Sequence, residues 1–352
     1  MQLKISQLYG ATVVVARAVR KQNAMPILSN FLVRPIRGAV EVIGSDLETT
    51  VIATIPVEGN GCPTFVVDAD LLTNILAQNI MRGDDNNMMI DTTDRTVSIQ
   101  THFSMYKVPI LFDAAQYPEM VTRKKHTPQS ATIPPQLLKV FAKNIERRAD
   151  NALMSCLHFQ PGRVFATDGY KAFELKTECN ITGALPVDGA KILGSLMVKG
   201  QPQIEYAFNH FFYKLDNIEV FVRAKEDVKL PSKTSDIFQS DRAVEVEIDR
   251  QDMIGALRRM AVVCDATTLT ISAEGSAEFT ARDASRGEAL ESFTVDALEA
   301  PLSISVNPLF LIGALSVFDS DYIKLRIGEP TDAITATDNN ISMAVMPTRK
   351  TE

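Results

Sequence analysis

The sequence predicts an α+β protein made of three similar domains, each with two helices packed on antiparallel sheets. Three observations favour this class. Two types of helix recur at intervals of roughly one third of the 352 residues. A carboxylate recurs at a turn between the two helices of each copy. Segments of alternating apolar and polar residues, which are typical of half-buried antiparallel strands, fill the remaining length.

One helix type follows an N-cap residue. Its copies occupy residues 66–78, 186–198 and 305–317. Asp68, Asp188 and Asn307 hold the same place in the three copies, 120 and 119 residues apart. Each side chain is able to accept hydrogen bonds from amides of the first helical turn. We therefore expect a capped amphipathic helix at all three places.

The other helix type begins at Ile5, Ile133 and Ile248, with separations of 128 and 115 residues. Ser6 and Asp249 are expected N-caps, and the pair Pro134–Pro135 marks the start of the middle copy. Polar segments at 122–129 and 232–241 have the composition of linkers. These features predict domains at 1–123, 124–241 and 242–352.

The recurring carboxylates are Asp46, Asp168 and Asp283, which lie 122 and 115 residues apart. Aspartate accepts local amides and tolerates turn geometry, so we interpret the three as structural turn residues. An enzyme built on them is the least favoured alternative. The sequence contains no GxGxxG, GxxxxGK[ST] or GxSxG motif, and its histidines are isolated. We expect no catalytic residue, no metal and no cofactor.

Composition restricts the compartment. The four cysteines lie far apart without a CxxC pair, which disfavours a disulfide framework and a zinc site and favours the reducing cytoplasm. No run of 18 apolar residues is present, so no helix is expected to span a membrane.

Positive charge is concentrated on the predicted helices. The formal charge of the chain is −7, yet the predicted helices carry +9, which leaves −16 for the rest. Basic helices on an acidic body attract a polyanion without reading its sequence. The alternative is that these are ordinary solvent-facing helix residues. The basic residues expected to face such a polyanion are Arg17, Arg20, Lys21, Lys139, Lys143, Arg147, Arg148, Lys199, Arg250, Arg258 and Arg259.

Several segments, taken in order, resemble the bacterial DNA polymerase III beta subunit, the sliding clamp. They are MPILSNFLV from Met25, GSDLETTV, YPEM from Tyr117, FATDGYKAFEL and SMAVMPTR. The TDGYKA turn is similar to the family's TDGHRL, and the terminal VMPTR to VMPMR. The resemblance covers essentially the whole chain.

The resemblance implies three clamp-type domains per chain and a head-to-tail homodimer that closes into a six-domain ring. Such a ring encircles duplex DNA topologically, tethers the replicative DNA polymerase as a processivity factor, and is opened by a clamp loader. The basic helix residues would then face DNA. A clamp-fold scaffold or regulator that does not close around DNA is the alternative.

The resemblance also implies two protein interfaces. Phe103 and Met105 of the first domain would pack against Val262 and Val263 of the third domain across the dimer seam. A cleft for short partner peptides would be formed by Leu153, Thr167, Gly169, Tyr170, Lys171, Ala172, Ile237, Phe238, Val345, Met346, Pro347, Thr348 and Arg349. Tyr170, Ala172 and Thr348 depart from the family's His, Leu and Met, which makes one wall of that cleft less apolar.

Overall fold

One order of elements is repeated three times in the computed structural model: a strand, a helix, four strands, a helix and three strands. The model describes residues 1–22, 24–58, 62–81, 87–93, 95–119, 129–145, 151–197, 200, 202–228, 230, 234–238 and 244–348. The strand pairs are antiparallel throughout the described ladders. The predicted α+β class is confirmed, and so is the threefold repeat of its elements.

The first repeat runs through β1 (Gln2–Lys4), α1 (Ile5–Val15), β2 (Asn30–Ile36), β3 (Ala39–Ser45), β4 (Thr49–Pro56), β5 (Phe65–Asp68), α2 (Ala69–Met81), β6 (Asn87–Thr92), β7 (Thr96–Gln100) and β8 (Met105–Pro109). The second runs through β9 (Gln129–Thr132), α3 (Pro135–Asn144), β10 (Cys156–Gln160), β11 (Arg163–Thr167), β12 (Lys171–Lys176), β13 (Gly183–Pro186), α4 (Val187–Leu196), β14 (Gln203–Ala207), β15 (His210–Leu215) and β16 (Ile218–Arg223). The third runs through β17 (Val244–Asp249), α5 (Arg250–Val263), β18 (Thr267–Ile271), β19 (Ser276–Asp283), β20 (Gly287–Thr294), β21 (Leu302–Val306), α6 (Pro308–Leu315), β22 (Tyr322–Ile327), β23 (Ile334–Asp338) and β24 (Ile341–Val345).

The contacts group the chain into two compact units. Unit 1 contains residues 1–128 and 195–223, and unit 2 contains residues 129–194 and 224–352. Unit 1 has a four-stranded sheet in the order β1-β6-β7-β8 and a larger sheet with the order β5-β2-β3-β4-β16-β15-β14. Unit 2 has the sheets β20-β19-β18-β21 and β13-β10-β11-β12-β24-β23-β22-β17. The three domain boundaries expected from the sequence stay a prediction.

The larger sheet of each unit joins strands of two repeats at one equivalent place. In unit 1, β4 pairs with β16, and Val51 lies opposite Val220. In unit 2, β12 pairs with β24, and Phe173 lies opposite Met343. β4 and β12 are the fifth elements of their repeats, and β16 and β24 are the tenth. The same antiparallel pairing therefore occurs twice within one chain.

The helices bury an apolar face against the sheets of their own unit. Helix α1 contacts β3, β4 and α2, whereas α5 contacts β19, β20 and α6. Leu138 and Phe141 form the buried apolar face of α3, and Ile145 just after the helix is buried as well. Phe141 stacks on Phe173 of β12 with ring centroids 5.3 Å apart. Such burial of large side chains is the main source of stability for the layers.

Most of the expected N-caps are present. Asp249 accepts hydrogen bonds from Gln251 N and Asp252 N. Asn307 accepts them from the amides of the first turn of α6, and Asp68 Oδ1 accepts one from Leu71 N at 2.7 Å. Asp188 lies inside the first turn of α4 as its second residue, two positions beyond the expected N-cap position.

The expectation for Ser6 is wrong. Strand β1 continues directly into α1, so the extended Lys4 is the N-cap and Ser6 lies within the helix. The Lys4 side chain makes no capping hydrogen bond to this helix.

Two helices are shorter than the sequence predicted. Helix α1 ends at Val15 and is followed by a 3₁₀ turn over Ala16–Ala18, so the basic residues of this segment lie beyond the α-helix. Helix α3 ends at Asn144, because the buried Ile145 has an extended backbone. The expected basic face of α3 is therefore limited to Lys139 and Lys143. Within the bounds given above, the α-helices contain six basic and three acidic residues, so their net charge is +3.

Candidate nucleic-acid and protein interfaces

The three recurring carboxylates close their turns in the same way. Asp46 Oδ1 accepts hydrogen bonds from the amides two and three residues ahead, at 3.1 and 2.7 Å. Asp168 Oδ1 does the same at 2.9 and 2.8 Å. Asp283 Oδ1 does so at 2.8 and 2.9 Å, and the Ser285 hydroxyl, which also donates to it, lowers the pKa of this carboxyl. The structural interpretation of these residues accounts for their recurrence.

The TDGYKA turn of unit 2 adds a buried ion pair to this pattern. Lys171 Nζ lies 3.2 Å from Asp168 Oδ2, and both side chains are buried. The same Nζ lies 4.2 Å from the ring centroid of Phe310 in α6. Tyr170 stacks on Phe310 with centroids 5.5 Å apart. Phe310, which was not among the residues expected from the sequence, thus contacts both Tyr170 and Lys171.

An apolar cluster with two small side chains at its base, here named the recess, lies beside this turn. Ala172 of β12 and Ala344 of β24 are directly opposite each other in the strand register, and both are buried. They belong to an apolar cluster with Phe165 and with Phe238 of the 3₁₀ turn Thr234–Phe238. Phe238 is only 7% exposed, whereas its neighbour Ile237 is 42% exposed. The structure therefore brings the turn, β24 and the segment after β16 into one surface of unit 2.

The C-terminal tail completes that surface. Met346 N donates to Tyr170 O and Thr348 N donates to Ser305 O, both at 2.8 Å. Val345 is buried in β24, and Met346 is exposed. A cavity of about 500 Å³ is lined by Ser303, Ser305, Pro330, Thr331, Met346, Pro347 and Thr348.

The remaining expected cleft residues lie either near this surface or outside the described residues. Leu153 lies in a 3₁₀ turn that contacts β11, and its carbonyl accepts a hydrogen bond from His158 Nε2 at 2.8 Å. Thr167 Oγ1 donates to Lys171 O, and Gly169 has the positive φ of 86° that the turn requires. Arg349 lies outside the described residues.

The basic residues fall into two groups. Lys139, Lys143 and Arg258 are exposed, and within the described part of the chain no acidic side chain forms an ion pair with them. Arg17 donates from Nη1 to Ser195 O at 3.1 Å, and Arg250 donates from Nε to Ser320 O at 2.6 Å. The remaining expected residues Arg147, Arg148 and Lys199 lie outside the described residues.

Acidic side chains neutralise the other basic residues. Arg20 Nε lies 2.7 Å from Asp46 Oδ2, and Lys21 Nζ lies 2.8 Å from Asp70 Oδ2. Arg259 of α5 forms a bidentate pair with Glu291 of β20, and this hydrogen bond raises the pKa of the guanidinium. No sequence pattern indicated the contact between Arg259 and Glu291, since 32 residues separate the two partners. The positive field of the helices is weaker than their sequence suggested.

Both four-stranded sheets end in an edge strand with exposed apolar side chains. In unit 1 the edge is β8, where Met105 is 62% exposed and the preceding Phe103 is also exposed. In unit 2 the edge is β20, where Leu290 is 62% exposed. The expected seam residues Val262 and Val263 lie at the end of α5, Val262 exposed and Val263 half-buried. Exposed edges of this kind are pairing sites unless something covers them.

The described residues contain no helix that is long and apolar enough to cross a membrane. The same part of the chain has no group of three or more histidine, cysteine or carboxylate side chains placed to hold a metal ion.

Comparison with solved structures identifies the architecture. A DNA polymerase III subunit beta sliding clamp from Bartonella birtlesii, bound to griselimycin, superposes with a TM-score of 0.89 at 19% identity over 99% of each chain. The chain has the fold of a DNA sliding clamp. The clamp from Bacillus subtilis and a putative beta subunit from Eubacterium rectale each give a TM-score of 0.86 at 18% identity, again over 99% of both chains.

A family model supports the same assignment for the last third of the sequence. Residues 235–349 match the model of the DNA polymerase III beta subunit, C-terminal domain. A comparison with curated proteins gives no significant match. The resemblance to a divergent beta subunit, first based on short segments such as TDGYKA, is thereby confirmed.

Proposed function

We propose that this protein is a DNA sliding clamp, a processivity factor that encircles duplex DNA and tethers a replicative polymerase without making or breaking a bond. The clamp fold over 99% of the chain and the C-terminal family match support the proposal. The observation that carries it is the strand pairing between repeats, because it supplies a physical reason for ring closure.

Among the described strands, one pairing that the repeat pattern predicts does not occur within the single chain. If helices and strands are counted together, the fifth element of one repeat pairs with the tenth element of another repeat. This occurs twice, for β4 with β16 and for β12 with β24. By the same rule β20, the fifth element of the third repeat, should pair with β8, the tenth of the first. Both are edge strands. A second copy joined head to tail supplies both missing partners and closes the assembly with no free edge at these strands.

The two internal pairings also predict the register of the seam. When the hairpin turns before β16, β24 and β8 are superimposed in the strand register, three residues occupy the same position: Val222, Val345 and Val108. In the turns before β4, β12 and β20, each recurring aspartate has one partner across the turn. These partners are Thr49, Lys171 and Gly287, which therefore occupy equivalent positions. Since Val222 pairs with Thr49 and Val345 with Lys171, Val108 should lie opposite Gly287.

This register is chemically consistent. It sets Met105 opposite Leu290 and Lys107 opposite Glu288. All four side chains are exposed in the single chain, so each pair lies on one face of the combined sheet. It also sets half-buried Tyr106 opposite half-buried Ala289. A slip by one residue would place exposed side chains against the covered face, which strongly disfavours other registers.

DNA would be held by the closed ring and by weak phosphate contacts. Such contacts would be made first by the exposed residues Lys139, Lys143 and Arg258. Arg17 and Arg250, which also donate to backbone carbonyls, would contribute less. Contacts of long side chains with phosphates carry no sequence information and weaken with salt, which suits a protein that slides. Polymerase and clamp loader would use the surface formed by the TDGYKA turn, the recess and the tail.

The test compares retention on two DNA topologies. The protein is loaded on nicked circular DNA, and half of the sample is then linearised with a restriction enzyme. We expect retention on the circle and rapid loss from the linear form, because only a ring is released at an end. Equal retention on both forms would refute topological binding.

A scaffold that keeps the clamp fold without closing is the second candidate. The ion pairs of Arg20, Lys21 and Arg259 with acidic residues favour it, since they reduce the charge available for DNA. It predicts a monomer at all concentrations in native mass spectrometry, whereas a clamp gives a dimer.

A further inference from the structure

The segment between β16 and β17 places one of its own aromatic rings in the recess of unit 2. Phe238 packs on Ala172 and Ala344, and its ring lies 6.2 Å from that of Phe165 in an edge-to-face arrangement. Leu230 and Ala333 contact the same cluster. Because alanine is the smallest apolar side chain with a Cβ, two alanines in register leave room above the sheet for one ring.

The other end of this 3₁₀ turn is also fixed to the sheet. Arg163 Nη2 of β11 donates to Thr234 Oγ1 at 3.2 Å. Arg163 in turn pairs with the buried Glu174 at 2.8 Å. The turn Thr234–Phe238 therefore has a polar anchor at its start and an apolar anchor at its end, while Ile237 between them is exposed.

The first repeat has an equivalent aromatic residue in a different setting. Tyr117 follows the 3₁₀ turn Ala114–Gln116 and is likewise buried. Its hydroxyl donates to Asn30 O at 3.3 Å, and large side chains such as Phe212 and Phe221 surround it. Phe221 holds the register position in β16 that Ala344 holds in β24. Tyr117 is thus a hydrogen-bonded core residue, whereas Phe238 rests on a surface of small side chains and has no polar group to fix it.

We propose that Phe238 is a removable occupant of the Ala172–Ala344 recess, and that a partner peptide inserts an aromatic side chain there only after Phe238 leaves. The seated ring shows which side chain the recess accepts. The proposal rests on the proposed function, since it assigns the recess to the partner surface, and it adds that the chain competes with its own partners. The affinity of any such peptide is then reduced by the fraction of time for which the recess is occupied.

The first experiment uses the segment itself as the probe. A fluorescein-labelled pentapeptide with the sequence of residues 234–238, TSDIF, is titrated by fluorescence anisotropy against the full-length wild type and Phe238→Ala. We expect Phe238→Ala to bind it at least about tenfold more tightly, because the recess is then open for most of the time. A peptide with alanine in place of phenylalanine should bind neither protein.

Two matched variants control for indirect effects. Asp236→Ala changes an exposed residue of the same turn that is not among the expected cleft residues and leaves the ring in place, so its affinity should equal that of the wild type. Ala344→Leu, added to Phe238→Ala, fills the recess and should abolish the gain. Equal affinity of wild type and Phe238→Ala, or a gain that survives Ala344→Leu, would overturn the proposal.

A second experiment covers the case in which Phe238→Ala does not fold. The chain contains no tryptophan, so Phe238→Trp provides a single reporter. Its emission should be blue-shifted in the free protein and should move to the red when the unlabelled TSDIF peptide displaces it. A Phe208→Trp control, at a position of unit 1 that is 65% exposed, should emit from an exposed position throughout. Emission of the Phe238→Trp protein that stays unchanged at saturating peptide would contradict the proposal. Retention on circular DNA tests the proposed function independently, because it does not depend on the recess.

Discussion

The proposed seam can be tested by reversing one of its charges. In the predicted register Lys107 of one copy lies opposite Glu288 of the other, and both side chains are exposed in the single chain. Within the described part of the chain, Glu288 Oε1 has one loose ionic contact, with Arg282 Nε at 3.6 Å. Lys107→Glu would therefore replace an attractive cross-strand pair with two like charges.

The size of the effect follows from the number of seams. A cross-strand pair of opposite charges contributes roughly 0.5 kcal/mol, and a like-charge pair costs a similar amount, so reversal costs about 1 kcal/mol at each seam. A head-to-tail dimer has two seams, which gives about 2 kcal/mol. The dimer dissociation constant should then rise about 30-fold.

Sedimentation velocity over a dilution series measures this constant directly. Glu288→Lys alone should weaken the dimer similarly, and the double variant Lys107→Glu with Glu288→Lys should restore most of the affinity. Lys4→Glu is the matched control, because it makes the same charge change in the same four-stranded sheet but on β1 at the opposite edge. Failure of the double variant to recover, or an equal loss in Lys4→Glu, would refute the register.

Three further predictions concern the folded chain and its charges. Gly313→Ala should lower the free energy of unfolding measured with urea by about 1–3 kcal/mol, since an added Cβ would lie 2.0 Å from Asn144 Oδ1 where α6 meets α3; an unchanged midpoint would contradict this packing. Replacing Lys139 and Lys143 with alanine should reduce the slope of log affinity for short duplex DNA against log salt by about 2, and an unchanged slope would remove these residues from the phosphate contacts. Burial lowers the pKa of His158, so below about pH 6.5 the unfolded chain binds a proton that the folded chain does not, and stability falls with decreasing pH; His158→Gln should reduce that fall, and an identical pH profile would show that His158 does not contribute.

The repeat was predictable because its local signals are strong. Asp249 and Asn307 cap helices where expected, and Asp46, Asp168 and Asp283 close equivalent turns. These are contacts between residues two or three positions apart, which a single sequence displays directly. For the same reason the TDGYKA turn was sufficient to indicate the family.

The features that the sequence could not predict depend on distant contacts. Helix α3 ends at Asn144 because Ile145 enters the core in an extended conformation, although the sequence predicts a helix that includes Arg147 and Arg148. The pairing of Arg259 with Glu291 and the register of Ala172 with Ala344 join residues from separate strands and helices. The recess, its occupant Phe238 and the reduced positive field all follow from such contacts, so only the structure reveals them.

Closure of the ring around DNA is the central claim, and covalent closure of the seam tests it most directly. Met105→Cys and Leu290→Cys, combined in one chain, lie opposite each other across both seams in the predicted register. A short bismaleimide is added after loading on nicked circular DNA, and the sample is then treated with SDS. We predict that the cross-linked dimer stays on the circle in SDS and is released when the circle is linearised, whereas a variant with only one of the two substitutions is lost at once. Release of the cross-linked dimer from intact circles would contradict the account.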